Sequence, residues 1–291
     1  MWLRHHRCRS RQHSHRRRHR ELEDRARPRS AVHGPQKERR ADLLWTVDYG
    51  LWTPLGGAVA VSAVVVAAGR GQRLGVSEEK AFVQLWDRPM LAYTLQPFSS
   101  CAAVGEIVVV ASASGAPKVT DLVRRWGIEK VVRIVEGGEH RCDSVLSGVE
   151  QSSPSSAYVV VHDAARPLLM VEELERLIAG AQEVPDGGAI LAVPVKPTIK
   201  RVDASGRVES TMRRDVLWEA QTPQMFARSV LLEAYRSARA RGDVPTDEAA
   251  AVEALGRPVR IVRGSYRNMK ITTPEDLVMA EALLTGGVRT A

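Results

Sequence analysis

Ala60-Val61-Ser62-Ala63-Val64-Val65-Val66 runs without a break into Ala67-Ala68-Gly69-Arg70-Gly71-Gln72-Arg73-Leu74-Gly75, an apolar run of strand length that ends in a glycine-rich turn. A glycine-rich turn at the carboxyl end of a sheet strand lets backbone N–H groups approach a phosphate closely, and open α/β sheets bind ligands at that edge. Two common phosphate motifs do not fit. The dinucleotide fingerprint needs a third glycine where Leu74 stands, and no GK[ST] triplet of a Walker A loop follows the first glycine. Arg73 and Lys80 instead bracket the loop and put two cations beside whatever phosphates its backbone holds. Either residue alone reads as a solvated surface charge.

Outward from this turn, apolar runs of strand length alternate with segments of helical periodicity, the pattern of a mostly parallel sheet covered by helices. Strands are expected over residues 60–67, 106–111, 130–135, 158–162, 188–194 and 259–263. Helices are expected over 89–98, 116–126, 141–150, 171–182, 229–240, 247–255 and 274–284. The fold class is therefore α/β, a doubly wound, mostly parallel, Rossmann-like sheet in one domain over residues 58–291. The stretch 196–226 breaks the alternation. Residues 198–202, a turn at 203–206 and residues 207–212 read as a hairpin too polar for the core, hence a protruding β-arm that serves as a lid or a dimer contact.

The formal charge of +8 over 291 residues suggests a nucleic-acid partner until it is divided along the chain. Residues 1–57 hold 14 Lys and Arg against 6 acids, which leaves 28 of each for the rest, so the whole excess sits in this tail. Arg, His, Ser and Pro dominate it without apolar periodicity, which predicts disorder. A non-functional leader, or a start chosen ahead of a natural one near Val59 or Val61, is preferred to an RNA-binding arm or a plastid transit peptide. Cys8, Cys101 and Cys142 have neither CxxC spacing nor a nearby histidine, so neither zinc nor a disulfide framework is indicated and a reducing, cytoplasmic setting fits. The longest apolar run, residues 55–68, is too short and too broken for a membrane span.

The Ala67-Ala68-Gly69-x-Gly71-x-Arg73 motif followed by Lys80 is similar to the signature of sugar-phosphate nucleotidyltransferases. Further blocks narrow the resemblance. They are Glu136-Gly137-Gly138-Glu139-His140-Arg141-Cys142-Asp143-Ser144-Val145, Val161-His162-Asp163-Ala164-Ala165-Arg166-Pro167, Gln221-Thr222-Pro223-Gln224-Met225-Phe226, and Thr246-Asp247-Glu248-Ala249 with Lys270-Ile271-Thr272-Thr273-Pro274-Glu275-Asp276-Leu277. In this order, over nearly all of residues 60–284, the chain resembles the 2-C-methyl-D-erythritol 4-phosphate cytidylyltransferase family.

The resemblance implies transfer of CMP from CTP to 2-C-methyl-D-erythritol 4-phosphate, giving 4-diphosphocytidyl-2-C-methyl-D-erythritol and pyrophosphate in the non-mevalonate isoprenoid pathway. It also implies Mg²⁺ as cofactor and a homodimer formed through the β-arm, in the bacterial cytoplasm with a plastid as the minor alternative. Ala67, Ala68 and Gly69 would hold the nucleotide's ribose and phosphates, and Gly138, Asp143 and Ser144 would line the cytosine and ribose pocket. Arg73, Lys80 and Lys270 would be catalytic. Asp163 would lie beside the metal and the substrate, while Arg166, Thr198, Arg214 and Asp247 would bind the polyol phosphate or the nucleotide phosphates, Thr198 and Arg214 from the arm of the other subunit. Single blocks also have plain readings: Asp247 as a helix cap with Glu248 in the first turn, and Pro274 as a helix start. Glu79 and Ala81 depart from the family's Pro-Lys-Gln, and Arg213 stands where an acidic or neutral residue is more familiar. The runner-up within enzymes is ribitol 5-phosphate cytidylyltransferase. A nucleic-acid-binding protein acting through the basic tail explains residues 1–40 and none of the blocks.

Overall fold

The computed structural model describes residues 61–69, 71, 74, 75 and 78–286 together with the backbone of 45–46. The expected first strand is β2 (Val61–Val66), preceded by the two-residue β1 (Trp45–Thr46). Every side chain of β2 is buried or half-buried, as a strand covered by helices on both faces requires. Val61, Ala63 and Val65 face one helical layer, and Val64 and Val66 face the other. Ser62, fully buried, is reconciled with that position by bonding Glu106 Oε1 and Ser156 Oγ, each at 2.6 Å.

The chain then makes the short hairpin β3 (Gln84–Leu85) and β4 (Arg88–Pro89), α1 (Met90–Ser100), β5 (Val104–Ala111), α2 (Gly115–Trp126), β6 (Val131–Glu136), α3 (Arg141–Gln151) and β7 (Tyr158–Asp163). Next come α4 (Val171–Gln182), β8 (Gly188–Pro194), β9 (Lys200–Val202), β10 (Val208–Thr211), β11 (Trp218–Ala227), α5 (Arg228–Arg241), α6 (Glu248–Glu253), β12 (Val259–Arg263) and α7 (Pro274–Thr285). The main sheet has the order β1-β6-β5-β2-β7-β11-β8-β12. β11 runs antiparallel to both of its neighbours and β1 antiparallel to β6; the remaining pairs are parallel. The expected mixed, mostly parallel α/β sheet is the one observed.

Leu91, Leu95 and Phe98 of α1, Val119 and Leu122 of α2 and Leu174 and Leu177 of α4 form one core layer. Val145 and Val149 of α3, Leu231 and Tyr235 of α5 and Val252 of α6 form the other. Each such side chain, fully buried, contributes roughly 1.5–3 kcal/mol of transfer free energy, so the layers hold the loops at the strand ends in place.

Two boundaries differ from expectation. The excursion 196–226 is not all arm, because Trp218–Ala227 enters the sheet between β7 and β8 as a ten-residue antiparallel strand. Its last residues, Thr222 to Phe226, are buried, whereas Trp218 to Ala220 are exposed. The arm itself is the antiparallel pair β9 and β10, closed by Asp203, whose Oδ1 accepts from the N–H groups of Ser205 and Arg207 at 2.9 and 3.0 Å. The second difference falls within the stretch assigned to the tail, where β1 pairs with Arg133 and Ile134 of β6. The other residues of 1–57 lie outside the described residues.

Candidate active site

From β2 the chain passes to β5 and β6 on one side, while β7 lies against β2 on the other. The carboxyl ends of β2 and β7 therefore flank the point where strand order reverses, the crevice in which open α/β sheets bind ligands. The turn after β2 is tied to both neighbours: Ala67 N–H donates to Val110 O at 2.7 Å and Ala164 N–H to Val66 O at 3.0 Å. A cleft of about 1230 Å³ opens here, lined among others by Ala67, Ala68, Gly69, Lys80, Gly138, Arg141, Ser144, Asp163 and Lys270.

Gly71 has φ +64°, and a Cβ on it would sit 2.9 Å from Lys80 Cβ, so only glycine lets the turn pass this closely to the lysine. Lys80 opens a 3₁₀ turn whose next two residues, Ala81 and Phe82, are buried, which anchors the lysine's backbone. Across the cleft, Gly138 N–H donates to Ser144 Oγ at 3.1 Å, and a Cβ on Gly138 would lie 2.3 Å from Asp143 Cβ. The loop thus folds flat onto the first turn of α3. Asp143 does not line the cleft; it accepts from His140 N–H at 3.2 Å and caps that helix.

Asp163, 7% exposed at the end of β7, is held on both oxygens. Oδ1 accepts from Arg141 Nε at 3.0 Å, and Oδ2 accepts from Lys270 Nζ at 2.6 Å. Burial opposes its ionisation, but the charges of Arg141 and Lys270 outweigh burial and hold the carboxyl well below the usual carboxylate range. Arg141 also reaches the fully buried Glu248, with Nη1 2.7 Å from Oε1. Burial works against the charged guanidinium, and the two carboxylates more than offset it, so Arg141 is a permanent cation.

Behind the strand end, Thr222 Oγ1 is 3.0 Å from both Asp163 N, whose N–H it accepts, and His162 Nδ1. His162 Nε2 lies 3.1 Å from Arg166 O. Arg166 is 7% exposed; it donates from Nη1 to Asn268 O at 2.7 Å, and its Nε has no hydrogen-bond partner among the described residues. Arg166 stands behind the cleft and is not among its lining residues.

The structure thus gathers eight of the expected site residues in the cleft, namely Ala67, Ala68, Gly69, Lys80, Gly138, Ser144, Asp163 and Lys270. Arg73 lies outside the described residues. Asp247 caps α6, accepting from Ala250 N–H at 2.9 Å and from Gln224 Nε2 at 3.0 Å. Thr198 and Arg214 are exposed on and beside the arm and do not line the cleft; Arg214 Nη1 donates to Lys196 O at 3.0 Å. Glu79, one of the departures from the family pattern, turns its carboxylate to the hydroxyls of Ser112 and Ser114 at 2.7 and 2.8 Å. Arg213 pairs with Asp215. Arg141, His162, Thr222 and Glu248 carry no expected site role in the sequence. They stand inside the quoted blocks, but the side-chain pairs Arg141–Asp163, His162–Thr222 and Arg141–Glu248 join positions 22, 60 and 107 apart.

Among the described residues no three of His, Cys, Asp and Glu cluster to cage a metal ion. The buried carboxylate at the cleft, Asp163, is of the kind that Mg²⁺ takes singly, since that ion keeps several waters and binds one or two protein carboxylates. No helix among the described residues is long and apolar enough to cross a membrane. A second groove, of about 730 Å³, runs past Pro154, Arg228 and Arg236. Its arginines are already engaged, Arg228 with Ser152 Oγ and Arg236 with Glu150.

The family model described as 2-C-methyl-D-erythritol 4-phosphate cytidylyltransferase matches residues 61–286. A relative of that name from Desulforamulus reducens is 43% identical over 225 residues, 77% of this chain and 95% of its own length. Another, from Pelotomaculum thermopropionicum, is 45% identical over 226 residues, again 77% of this chain and 94% of its own. The crystal structure of 2-C-methyl-D-erythritol 4-phosphate cytidylyltransferase from Thermus thermophilus superposes with a TM-score of 0.63 at 33% identity, covering 76% of this chain and 97% of the other.

Proposed function

Because the chain belongs to the 2-C-methyl-D-erythritol 4-phosphate cytidylyltransferase family and so transfers CMP from CTP to that polyol phosphate, releasing pyrophosphate, we propose how its own residues carry the transfer. The attacking phosphate monoester has a second pKa near ~6 and is already ionised at neutral pH, so no general base is needed. The work is to bring two anions together and to neutralise the charge that gathers on the α-phosphate. The backbone of Ala67 to Gly69 cradles the nucleotide phosphates, and Lys80, with Arg73 from the same loop, stabilises the pentavalent phosphorus. Lys270 steers the incoming phosphate, and Arg166 and Asp247 hold the polyol. Asp163 would hold Mg²⁺ together with the nucleotide phosphates; when bound, the ion supplies positive charge to the phosphate oxygens.

The observation that carries this reading is the convergence of the glycine-rich turn, Lys80, Asp163 and Lys270 on one cleft at the switch point. The test is pyrophosphate release from CTP and Mg²⁺ with 2-C-methyl-D-erythritol 4-phosphate and, in parallel, ribitol 5-phosphate. The first should be the better substrate. Lys80→Ala should lower kcat by about 2.7–4 kcal/mol of barrier, roughly 100- to 1000-fold, with a much smaller change in CTP affinity. Near wild-type turnover with only a raised KM for CTP would remove Lys80 from the catalytic set.

The same reading makes the molecule a homodimer through its arm, in the bacterial cytoplasm. Val202, Val208, Met212, Val216 and Trp218 are exposed on and beside the arm, an apolar set that a second copy would cover. Cys101 and Cys142 are free thiols, in keeping with a reducing compartment.

A further inference from the structure

Glu248 has no access to solvent and lies in the first turn of α6, one residue after its cap. Its carboxylate accepts from Arg141 Nη1 at 2.7 Å, Arg141 Nη2 at 3.3 Å and Tyr235 Oη at 2.9 Å. Such a pair is a poor device for stability: desolvation costs several kcal/mol per ion, and apolar replacements of similar volume are often neutral or better. What it does supply is direction. A guanidinium is a planar fork with more than one bonding edge. With one edge taken by Glu248, Nε and Nη2 are left pointing at Asp163 Oδ1, at 3.0 and 2.9 Å. Charges alternate from Glu248 through Arg141 and Asp163 to Lys270, and the last three line the cleft while Glu248 stands behind them.

We propose that Glu248 is a positioning residue of the transfer, pinning Arg141 and, through it, the cleft-facing carboxylate of Asp163. It rests on the reading of this cleft as the CTP site. Glu248 also balances the charge of Arg141. Without it, Arg141 has Asp163 as its sole counter-ion in this network and closes onto it, in competition with whatever the carboxylate holds during the reaction.

The experiment measures kcat, KM for CTP and thermal unfolding in Glu248→Gln, Glu248→Asp, Tyr235→Phe, Asp163→Asn and the double variant Glu248→Gln/Asp163→Asn. Glu248→Gln, nearly isosteric, should fold and lose about 10- to 100-fold in kcat, the penalty of a misplaced reacting group, with KM for CTP changed by less than about threefold. Glu248→Asp, shorter but charged, should recover part of that loss. Tyr235→Phe, which removes one hydrogen bond and no charge, should stay within about threefold of wild type. In the Asp163→Asn background the added Glu248→Gln should change kcat by less than about twofold, because the two act as one unit. Wild-type kcat in a folded Glu248→Gln overturns the inference, as do fully additive losses, or parallel losses of stability and activity in Glu248→Gln and Tyr235→Phe. If Glu248→Gln does not fold, Arg141→Lys, which keeps the charge and loses the fork, meets the same kcat criterion. Full turnover in Asp163→Asn would overturn the reading of the site itself, whereas additivity would overturn the role of Glu248 alone.

Discussion

His162 occupies the position beside Asp163 but faces the core, fully buried. Its tautomer follows from its partners. Arg166 O can only accept, so Nε2 carries the proton; Nδ1 is then bare and accepts from the Thr222 hydroxyl, whose oxygen is left to accept Asp163 N–H. A second proton has no acceptor there, and burial pushes the pKa down to about 4 from the usual 6.5. Above pH 6.5 the ring is neutral in both the folded and the unfolded chain and contributes nothing to pH dependence. Between 6.5 and 4 the unfolded chain binds the proton and the folded one does not, so stability falls as pH drops through that window, by about 3 kcal/mol at about 1.4 kcal/mol per pKa unit. Asp163, with a depressed pKa, adds its own loss only at still lower pH. Urea unfolding of wild type and His162→Asn at pH 7.5, 6, 5 and 4 isolates the histidine. The variant should be the less stable at neutral pH, and the gap should close by about 3 kcal/mol on acidification. A gap that does not change with pH would mean that His162 titrates normally in the folded protein. The residues of this relay stand in the quoted blocks, yet its role was not legible there, because a histidine 60 positions from its threonine carries no local signal of the pairing.

At the scale of elements, periodicity found what is regular and missed what is set by neighbours. β2, β5, β7 and β8 are runs of Val, Ile and Ala that no surface would tolerate, and α4 is strongly two-faced, so their expected positions hold within about two residues. β11 falls in the stretch 196–226 that breaks the alternation, and Gln221, Thr222 and Gln224 leave it without an apolar run. Those groups are nonetheless buried in the sheet, since Gln224 bonds Ala249 N and Asp247, and Gln221 bonds Ser265 O. Polar strands of this kind are legible only with their partners in view. Asp247 has its plain reading in the structure, where it caps α6, while its part in holding the polyol belongs to the proposed function. Removing the cap in Asp247→Ala should cost about 1 kcal/mol of stability in urea unfolding, in addition to any rise in KM for the polyol phosphate. Unchanged stability would show that the bond to Ala250 N–H adds nothing to the fold.

At the scale of the whole molecule, the block order points to an enzyme body over residues 60–284, and the cleft at the switch point gathers eight of the expected residues. The exceptions Thr198 and Arg214 are the instructive ones. Both are exposed, and neither lines the cleft, although both occupy positions expected to contact substrate. A second copy resolves the conflict if its arm reaches over this cleft, and the exposed Val202, Val208 and Met212 would then be covered on assembly. The consequence is a complementation that only a shared site permits. Lys80→Ala and Arg214→Ala should each be nearly inactive as homodimers. If the two are unfolded and refolded together in equal amounts, half of the dimers are mixed, and two-fold symmetry gives each mixed dimer one site with both wild-type residues and one with neither. Recovered turnover should therefore approach about a quarter of wild type. Were both residues drawn from one chain, every site in the mixture would lack one of them and activity would stay at the level of the parents. That result, with mixed dimers demonstrated by a tag on one partner, would return Arg214 to its own subunit's chemistry and leave the arm a contact rather than part of the site.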